Sequence, residues 1–196
     1  MTQSDRPGTR FLALARMSMS ALERELLRGT TPALEDLAGW TFRGANTPTW
    51  ARLLGIRKFI KGFEPASGPS PAQLIGYNLP VHQDRIDQPW RPKSGRGGRP
   101  PRRFGFYRVT PVDAGARDNA YLHALLLDYG AGPNPRLDPS RGLRDYLVQV
   151  DPENPDLFLG KAYYALGPAR LGVSFFVLER LAPSGDDPAT GAGRRA

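Results

Sequence analysis

The sequence predicts a mainly β (α+β) fold, an antiparallel β-barrel or strongly curled β-meander that follows an N-terminal helical segment. In the stretch 143–180, three apolar runs of strand length, rich in Val, Tyr and Phe, alternate with clusters of turn-forming residues. The connections are too short for a crossover helix, so neighbouring strands must run antiparallel. Such a sheet has an apolar face, which a lid or closure into a barrel must cover.

The elements follow in order along the chain. Apolar spacing predicts a helical segment over 10–28, in which a capping box at Ser20 and Glu23 starts a second helix, and a short helix carrying Leu34 and Leu37. Strand patterns occupy the ranges 39–44, 73–79, 104–109, 121–129, 145–150, 157–165 and 173–180. A short helix is expected over 50–54, and the run 56–63 fits either a strand or the end of that helix.

The predicted domain organisation is simple. Residues 10–181 form a single barrel-like domain that contains a flexible basic loop at 88–103, and the polar ends 1–9 and 182–196 are expected to be disordered tails. The chain of 196 residues is long enough to bury a sizeable core. Its oligomeric state is left open.

Composition excludes several functional classes. The chain has no cysteine and two histidines, so disulfides are excluded and a zinc site is disfavoured. We therefore expect no metal and no cofactor. No apolar run approaches the roughly 20 residues that span a bilayer, and the N-terminus lacks the pattern of a secretory signal. The expected location is the cytoplasm.

The net charge of +8 is concentrated in one Pro/Gly-rich segment. Between residues 88 and 103 there are six basic residues and no acidic one: Arg91, Lys93, Arg96, Arg99, Arg102 and Arg103. Followed by Phe104, Phe106 and Tyr107, this segment could contact nucleic acid through charge and stacking. The favoured alternative is a solvated insertion, since the aromatic residues continue a strand pattern.

Lysine is rare, with four residues against 23 arginines, so each lysine is of interest. In the strand 157–165, alternation places Leu157, Leu159, Lys161 and Tyr163 on one face. If that face points inward, Lys161 needs a partner and can anchor a carboxylate or phosphate. The alternative is a face in solvent, or a side chain that reaches the rim. Arg57, Lys58 and Lys61, in the run 56–61, fit either the binding of an anionic lipid or a phosphate, or a solvated face over a packed one, which is the more frequent arrangement.

These patterns predict the binding of a small amphipathic or anionic hydrophobic ligand in a barrel cavity. Lys161 and His123 would be its polar fixing points. The predicted wall consists of Phe106, Leu125, Leu159, Tyr163, Phe175 and Val177. An alternative is an enzyme on the same scaffold, with His123 or Lys161 as acid or base.

Gly39 and Trp40 in the first strand and Arg180 near the end of the last one resemble the lipocalin-like (calycin) group. In that group a Gly-x-Trp motif lies in the first strand, and a late arginine packs over the tryptophan to close the base of the barrel. Here the glycine and the tryptophan are adjacent. The resemblance implies a cup for an apolar or amphipathic ligand, with Trp40 and Arg180 in structural roles.

Overall fold

The computed structural model describes residues 6–47, 51, 53–66 and 73–186. Within these ranges, eight antiparallel strands form a closed barrel, in which each strand pairs with its sequence neighbours and the last pairs with the first. The strands are β1 (Trp40–Asn46), β2 (Lys58–Pro65), β3 (Leu74–Pro80), β4 (Phe104–Pro111), β5 (Leu125–Asp128), β6 (Leu143–Gln149), β7 (Leu157–Leu166) and β8 (Ala169–Pro183). The predicted fold class is confirmed.

Three short α-helices precede β1 in the described part of the chain: α1 (Thr9–Leu14), α2 (Met19–Arg28) and α3 (Leu34–Leu37). The N-cap of α2 is Ser18, whose hydroxyl accepts a hydrogen bond from the Ala21 N–H at 3.3 Å. The predicted capping box that began at Ser20 is therefore wrong. Glu23 instead extends from α2 to the barrel wall, where it pairs with Lys161.

The structure settles one open alternative and corrects one strand prediction. The ambiguous run 56–63 is a strand from Lys58 onward. The run 121–129 is a strand only over Leu125–Asp128, because a turn comes first, in which the Ala124 N–H donates to the Tyr121 carbonyl at 3.1 Å. Residues 50 and 52 of the predicted helix 50–54, and residues 1–5 and 187–196 of the predicted tails, lie outside the described residues. The division into domain and tails stays a prediction.

Both faces of the barrel wall are apolar. The interior is filled by side chains such as Phe42, Phe63 and Phe158. The outer face of β7 and β8, with Leu157, Leu159, Phe175 and Val177, is buried in a second cluster, together with Phe11 of α1 and Leu22 of α2. Because helices cover this part of the outside, alternation along its strands does not distinguish inside from outside.

The two ends of the barrel differ. At the end where β1 begins, the Arg180 guanidinium carbon lies 4.5 Å from the centroid of the Trp40 ring, and its Nε lies 2.5 Å from Asp156. The buried Leu37 of α3 belongs to the interior cluster at this end. This end is therefore closed, with Trp40 and Arg180 in the arrangement that the resemblance implied.

Candidate functional site

A cavity of about 380 Å³ opens at the other end of the barrel, where β1 ends and β2 begins. Its wall is largely apolar and includes Phe59, Leu143, Ala162 and Phe176. Ile56 and Phe104, each close to half exposed, also line it. The volume is at the lower end of the range of about 300–1,000 Å³ for ligand sites. The cavity therefore suits a small, largely apolar molecule.

One polar group of side chains lines this cavity from inside the barrel: Lys61, Asn78, Tyr129 and Asp145, called here the inner cluster. The Lys61 Nζ donates to Asn78 Oδ1 at 3.1 Å and to the Tyr129 hydroxyl oxygen at 2.5 Å, and it lies 3.3 Å from Asp145 Oδ2. The Tyr129 hydroxyl in turn donates to Asp145 Oδ2 at 3.1 Å. The ammonium is thus surrounded by acceptors within one compact network.

Strand register brings these residues together. Lys61 on β2 is directly opposite Asn78 on β3, so both side chains point inward side by side. Asp145 reaches them from β6, and Tyr129 follows the end of β5. Lys61 is 2% exposed and Asp145 3%, so the ion pair is almost fully removed from solvent.

Aromatic rings surround the Lys61 ammonium. Its Nζ lies 4.4 Å from the ring centroid of Tyr107, 5.1 Å from that of Tyr129 and 5.3 Å from that of Phe176. A Cβ at Gly76 would lie 1.9 Å from the Tyr107 ring, so this glycine leaves the space that the ring occupies. Cation–π attraction adds to the ion pair and helps to offset desolvation of the charge.

Burial dominates the protonation chemistry of the inner cluster. Desolvation lowers the pKa of Lys61, although the charge of Asp145 and its hydrogen bond oppose the shift. Desolvation raises the pKa of Asp145, against the effect of Lys61 and Tyr129. It also holds the pKa of Tyr129 well above its usual value, so the phenol stays protonated. Both shifts bring the neutral Lys61–Asp145 pair closer in energy to the ionised one.

The arrangement allows proton transfer within the cluster. Tyr129 accepts from Lys61 and donates to Asp145, and can therefore relay a proton between them. Oδ2 of Asp145 accepts from the Tyr129 hydroxyl and lies beside the Lys61 ammonium. Oδ1 of Asp145 accepts no hydrogen bond from the described residues. The inner cluster thus offers an acceptor atom, Oδ1 of Asp145, and a proton-exchanging pair.

The structure reverses the predicted orientation of the strand that carries Lys161. Ala162 lines the cavity, whereas Leu159, Lys161 and Tyr163 lie on the outer face of the barrel. The Lys161 Nζ donates to Glu23 Oε2 and to the Tyr121 hydroxyl oxygen, both at 2.6 Å. Tyr121 donates to Glu23 Oε1, also at 2.6 Å. We call these three residues the outer cluster.

The other predicted site residues also lie away from the cavity. Phe175 is buried, and Phe106 half-buried, among the apolar side chains on the outer face of the barrel. His123 lies in the turn before β5, with its Nε2 3.0 Å from the Leu26 carbonyl oxygen. Of the predicted wall, Leu125 belongs to the interior cluster.

Lys161 and Tyr163 do line a second depression, an open groove on the outer face, together with Tyr121, Tyr146 and Arg170. Ligand binding by Lys161 and Tyr163 stays a prediction, and its place would be this groove. Leu159, Phe106, Phe175 and His123 do not line it within the described residues.

The basic segment is tied to the barrel at both ends. Lys58, predicted either to contact lipid or to be solvated, is buried and forms an ion pair with Asp84. Its Nζ lies 4.1 Å from the Trp90 ring centroid, and the Trp90 Nε1–H donates to the Gly44 carbonyl at 3.1 Å. At the far end, Arg103 pairs with Glu64 at 2.9 Å. Flexibility of 88–103 and its contact with nucleic acid stay predictions.

Comparison with known proteins adds no family: neither the family models nor the curated proteins match this chain. Among the described residues, no helix is long and apolar enough to cross a membrane. In the same part of the chain, no group of three His, Asp or Glu side chains is placed to hold a metal ion.

Sequence reasoning missed Lys61, Asn78, Tyr129 and Asp145 as a group. Each belongs to or adjoins a predicted strand, but they come from four different strands, and one sequence does not specify the register between them. The available signal was local. Lys61 alternates with Phe59 and Phe63, a charged residue on a face that otherwise carries aromatic rings.

Proposed function

We propose that the barrel binds a small amphipathic molecule in the cavity that the inner cluster lines. One observation carries the proposal: a largely apolar cavity is lined from inside the barrel by a buried polar network made of Lys61, Asn78, Tyr129 and Asp145. Burying such a network costs free energy that apolar residues of similar size would not cost. A network that fixes the polar end of a ligand accounts for that cost.

The charge balance favours an uncharged polar end. The Lys61 ammonium is already compensated by Asp145, and Oδ1 of Asp145 is the carboxylate oxygen of the inner cluster that accepts no hydrogen bond from the described residues. An anionic ligand would meet this carboxylate, whereas a hydroxyl group can donate to it. The proposal thus narrows the predicted amphipathic or anionic ligand to a neutral one.

The resemblance to calycins supports the same reading. The barrel is closed at the base beside Trp40 and Arg180 and hollow at the opposite end, as the resemblance implied for a binding cup. We include membership of that group in the proposal.

Isothermal titration calorimetry tests the proposal with octan-1-ol and octanoate as probes. We expect octan-1-ol to bind at about one molecule per chain and more tightly than octanoate. Ala162→Phe, which places a ring in the cavity, should abolish octan-1-ol binding. Leu166→Phe at the exposed end of the same strand is the matched control and should bind as the native protein does. If neither probe binds, or if both variants bind normally, the proposal is wrong.

A further inference from the structure

We propose that Lys61 is a covalent attachment site for a small aldehyde or ketone, which the cavity holds as an imine. The inference rests on the proposed binding of ligands in this cavity and names the class of ligand that the inner cluster can fix. The amine, an acid–base partner and a proton relay lie within one network at the cavity wall.

Geometry distinguishes Lys61 from the other lysines. Lys58 also borders the cavity, but its ammonium is held by Asp84 and by the carbonyl of Pro89 at 3.1 Å. Lys93 is exposed at the rim. Lys161 lies outside the barrel and is held by Glu23. Lys61 alone among the four combines a position at the cavity with the Tyr129 relay to a carboxylate.

The reaction needs no reactant beyond the carbonyl compound. Lys61 passes one proton through Tyr129 to Asp145, and the neutral Nζ attacks the carbonyl carbon to form the C–N bond. The resulting alkoxide takes up a proton and the nitrogen loses one, which gives a carbinolamine. Asp145 then protonates the hydroxyl group, which leaves as water. The product is a protonated imine paired with the Asp145 carboxylate, so one ammonium and one carbonyl give one iminium and one water.

The surroundings favour each of these steps. Burial lowers the pKa of Lys61 and so increases the share of neutral amine, the form that acts as a nucleophile. Burial raises the pKa of Asp145, which makes it a better proton donor near neutral pH. Because Lys61 is buried, little water contacts its Nζ, which slows hydrolysis of an imine formed there. The rings of Tyr107 and Phe176 that stabilise the ammonium are placed to stabilise the iminium in the same way.

The test uses the native protein with octanal and sodium cyanoborohydride, which reduces an imine to a stable secondary amine. Intact mass spectrometry counts the adducts, and peptide mapping assigns them among four lysines and the N-terminus. At limiting octanal we expect each labelled chain to carry a single adduct, located on Lys61 in excess over Lys93. Excess octan-1-ol, which occupies the cavity without reacting, should suppress the Lys61 adduct and leave labelling of Lys93 unchanged.

The outcomes separate this inference from the proposed function. A Lys61 adduct that octan-1-ol suppresses supports both. Binding of octan-1-ol by calorimetry, with labelling confined to Lys93 or spread evenly, overturns the covalent site and leaves ligand binding standing. If octan-1-ol does not bind and no Lys61 adduct forms, both the ligand site and the covalent site are wrong. The Lys61→Met, Asp145→Leu double variant removes the amine together with its counterion, and should bind octan-1-ol weakly and give no cavity adduct. Adducts that persist at the same number would contradict the assignment.

Discussion

The inner and outer clusters contain the same three kinds of side chain in opposite surroundings. Inside the barrel, Lys61 contacts Tyr129 and Asp145, and on the outer wall Lys161 contacts Tyr121 and Glu23. The Lys61 side chain is 3% exposed, whereas that of Lys161 is 28% exposed. The lysine–tyrosine contacts are similar, at 2.5 and 2.6 Å, but the inner ion pair is longer, at 3.3 Å against 2.6 Å. The greater difference between the two clusters is in solvent access.

Protonation shows the difference most clearly. In the inner cluster, desolvation outweighs pairing, so the pKa of Lys61 falls and that of Asp145 rises. In the outer cluster, burial acts in the same directions, but the hydrogen bonds outweigh it. These bonds raise the pKa of Lys161 and lower that of Glu23. The outer ion pair stabilises the attachment of α2 to the barrel, whereas desolvation of the two charges makes the inner ion pair unfavourable for folding.

The largest expected contrast is between Asp145→Leu and Glu23→Leu. Removal of Asp145 leaves the buried Lys61 charge without its counterion and should lower the free energy of unfolding by about 3–5 kcal/mol. Removal of Glu23 leaves Lys161 within reach of solvent and should cost no more than about 1 kcal/mol. Urea denaturation of the two variants measures both values. Equal losses would contradict the distinction between the clusters.

A control addresses the origin of that loss. When Lys61→Met accompanies Asp145→Leu, no buried charge is left, and most of the lost stability should return. A double variant as unstable as Asp145→Leu alone would point to packing instead of charge.

The tyrosines give a smaller contrast. Tyr129→Phe removes the hydroxyl that accepts from Lys61 and donates to Asp145. It should cost about 1–3 kcal/mol, because two buried polar groups lose a partner. Tyr121→Phe should lower the free energy of unfolding by less, because Lys161 retains its ion pair with Glu23 and both side chains are partly exposed to water. Thermal and urea denaturation of the two variants measures both losses of stability. A larger loss for Tyr121→Phe than for Tyr129→Phe would contradict the greater importance of the buried hydroxyl.

The pH dependence of stability should have opposite shapes for the two pairs. Asp145 has a raised folded pKa, so its contribution falls as pH rises above its unfolded pKa of about 3.9. Lys61 has a lowered folded pKa, so its contribution falls as pH drops below its unfolded pKa of about 10.4. Tyr107 and Tyr129, which face the pair, stay protonated throughout. The inner pair therefore contributes least near neutral pH.

The outer pair should behave in the opposite way. Glu23 contributes stability above its unfolded pKa, which is lost as pH falls through the lower folded value. Lys161 contributes below its unfolded pKa, and that is lost as pH rises through the higher folded value. Unfolding free energies at about pH 3, 7 and 11, which bracket the unfolded pKa values of these groups, compare the two pairs when each is referred to its matched Met/Leu double variant. Parallel profiles would contradict the assigned shifts.

The fold could be predicted from sequence because its signals are local. The short connections between β6, β7 and β8 force antiparallel pairing, and each strand carries its own apolar pattern, so an antiparallel sheet follows without knowledge of register. These local signals do not distinguish a closed barrel from a strongly curled meander. Even β2, left ambiguous, has the aromatic alternation of a strand at Phe59 and Phe63.

The site could not be predicted in the same way. Lys161 seemed the inward lysine because Leu157, Leu159 and Tyr163 share its face, but these side chains are buried by helices outside the barrel. Both faces of β7 are apolar, so periodicity alone does not tell which one is concave. The partners of Lys61 come from β3, β6 and the residue that follows β5, and only the three-dimensional register brings them together.

The most direct test of the binding site compares two double variants by calorimetry with octan-1-ol. Lys61→Met with Asp145→Leu removes the charged pair of the inner cluster, and Lys161→Met with Glu23→Leu removes that of the outer one. The first should weaken binding by about tenfold or more, equivalent to the loss of one hydrogen bond to a charged group, while the second binds as the native protein does. Unchanged affinity in the first variant together with weakened affinity in the second would contradict the assignment of the ligand site to the barrel interior.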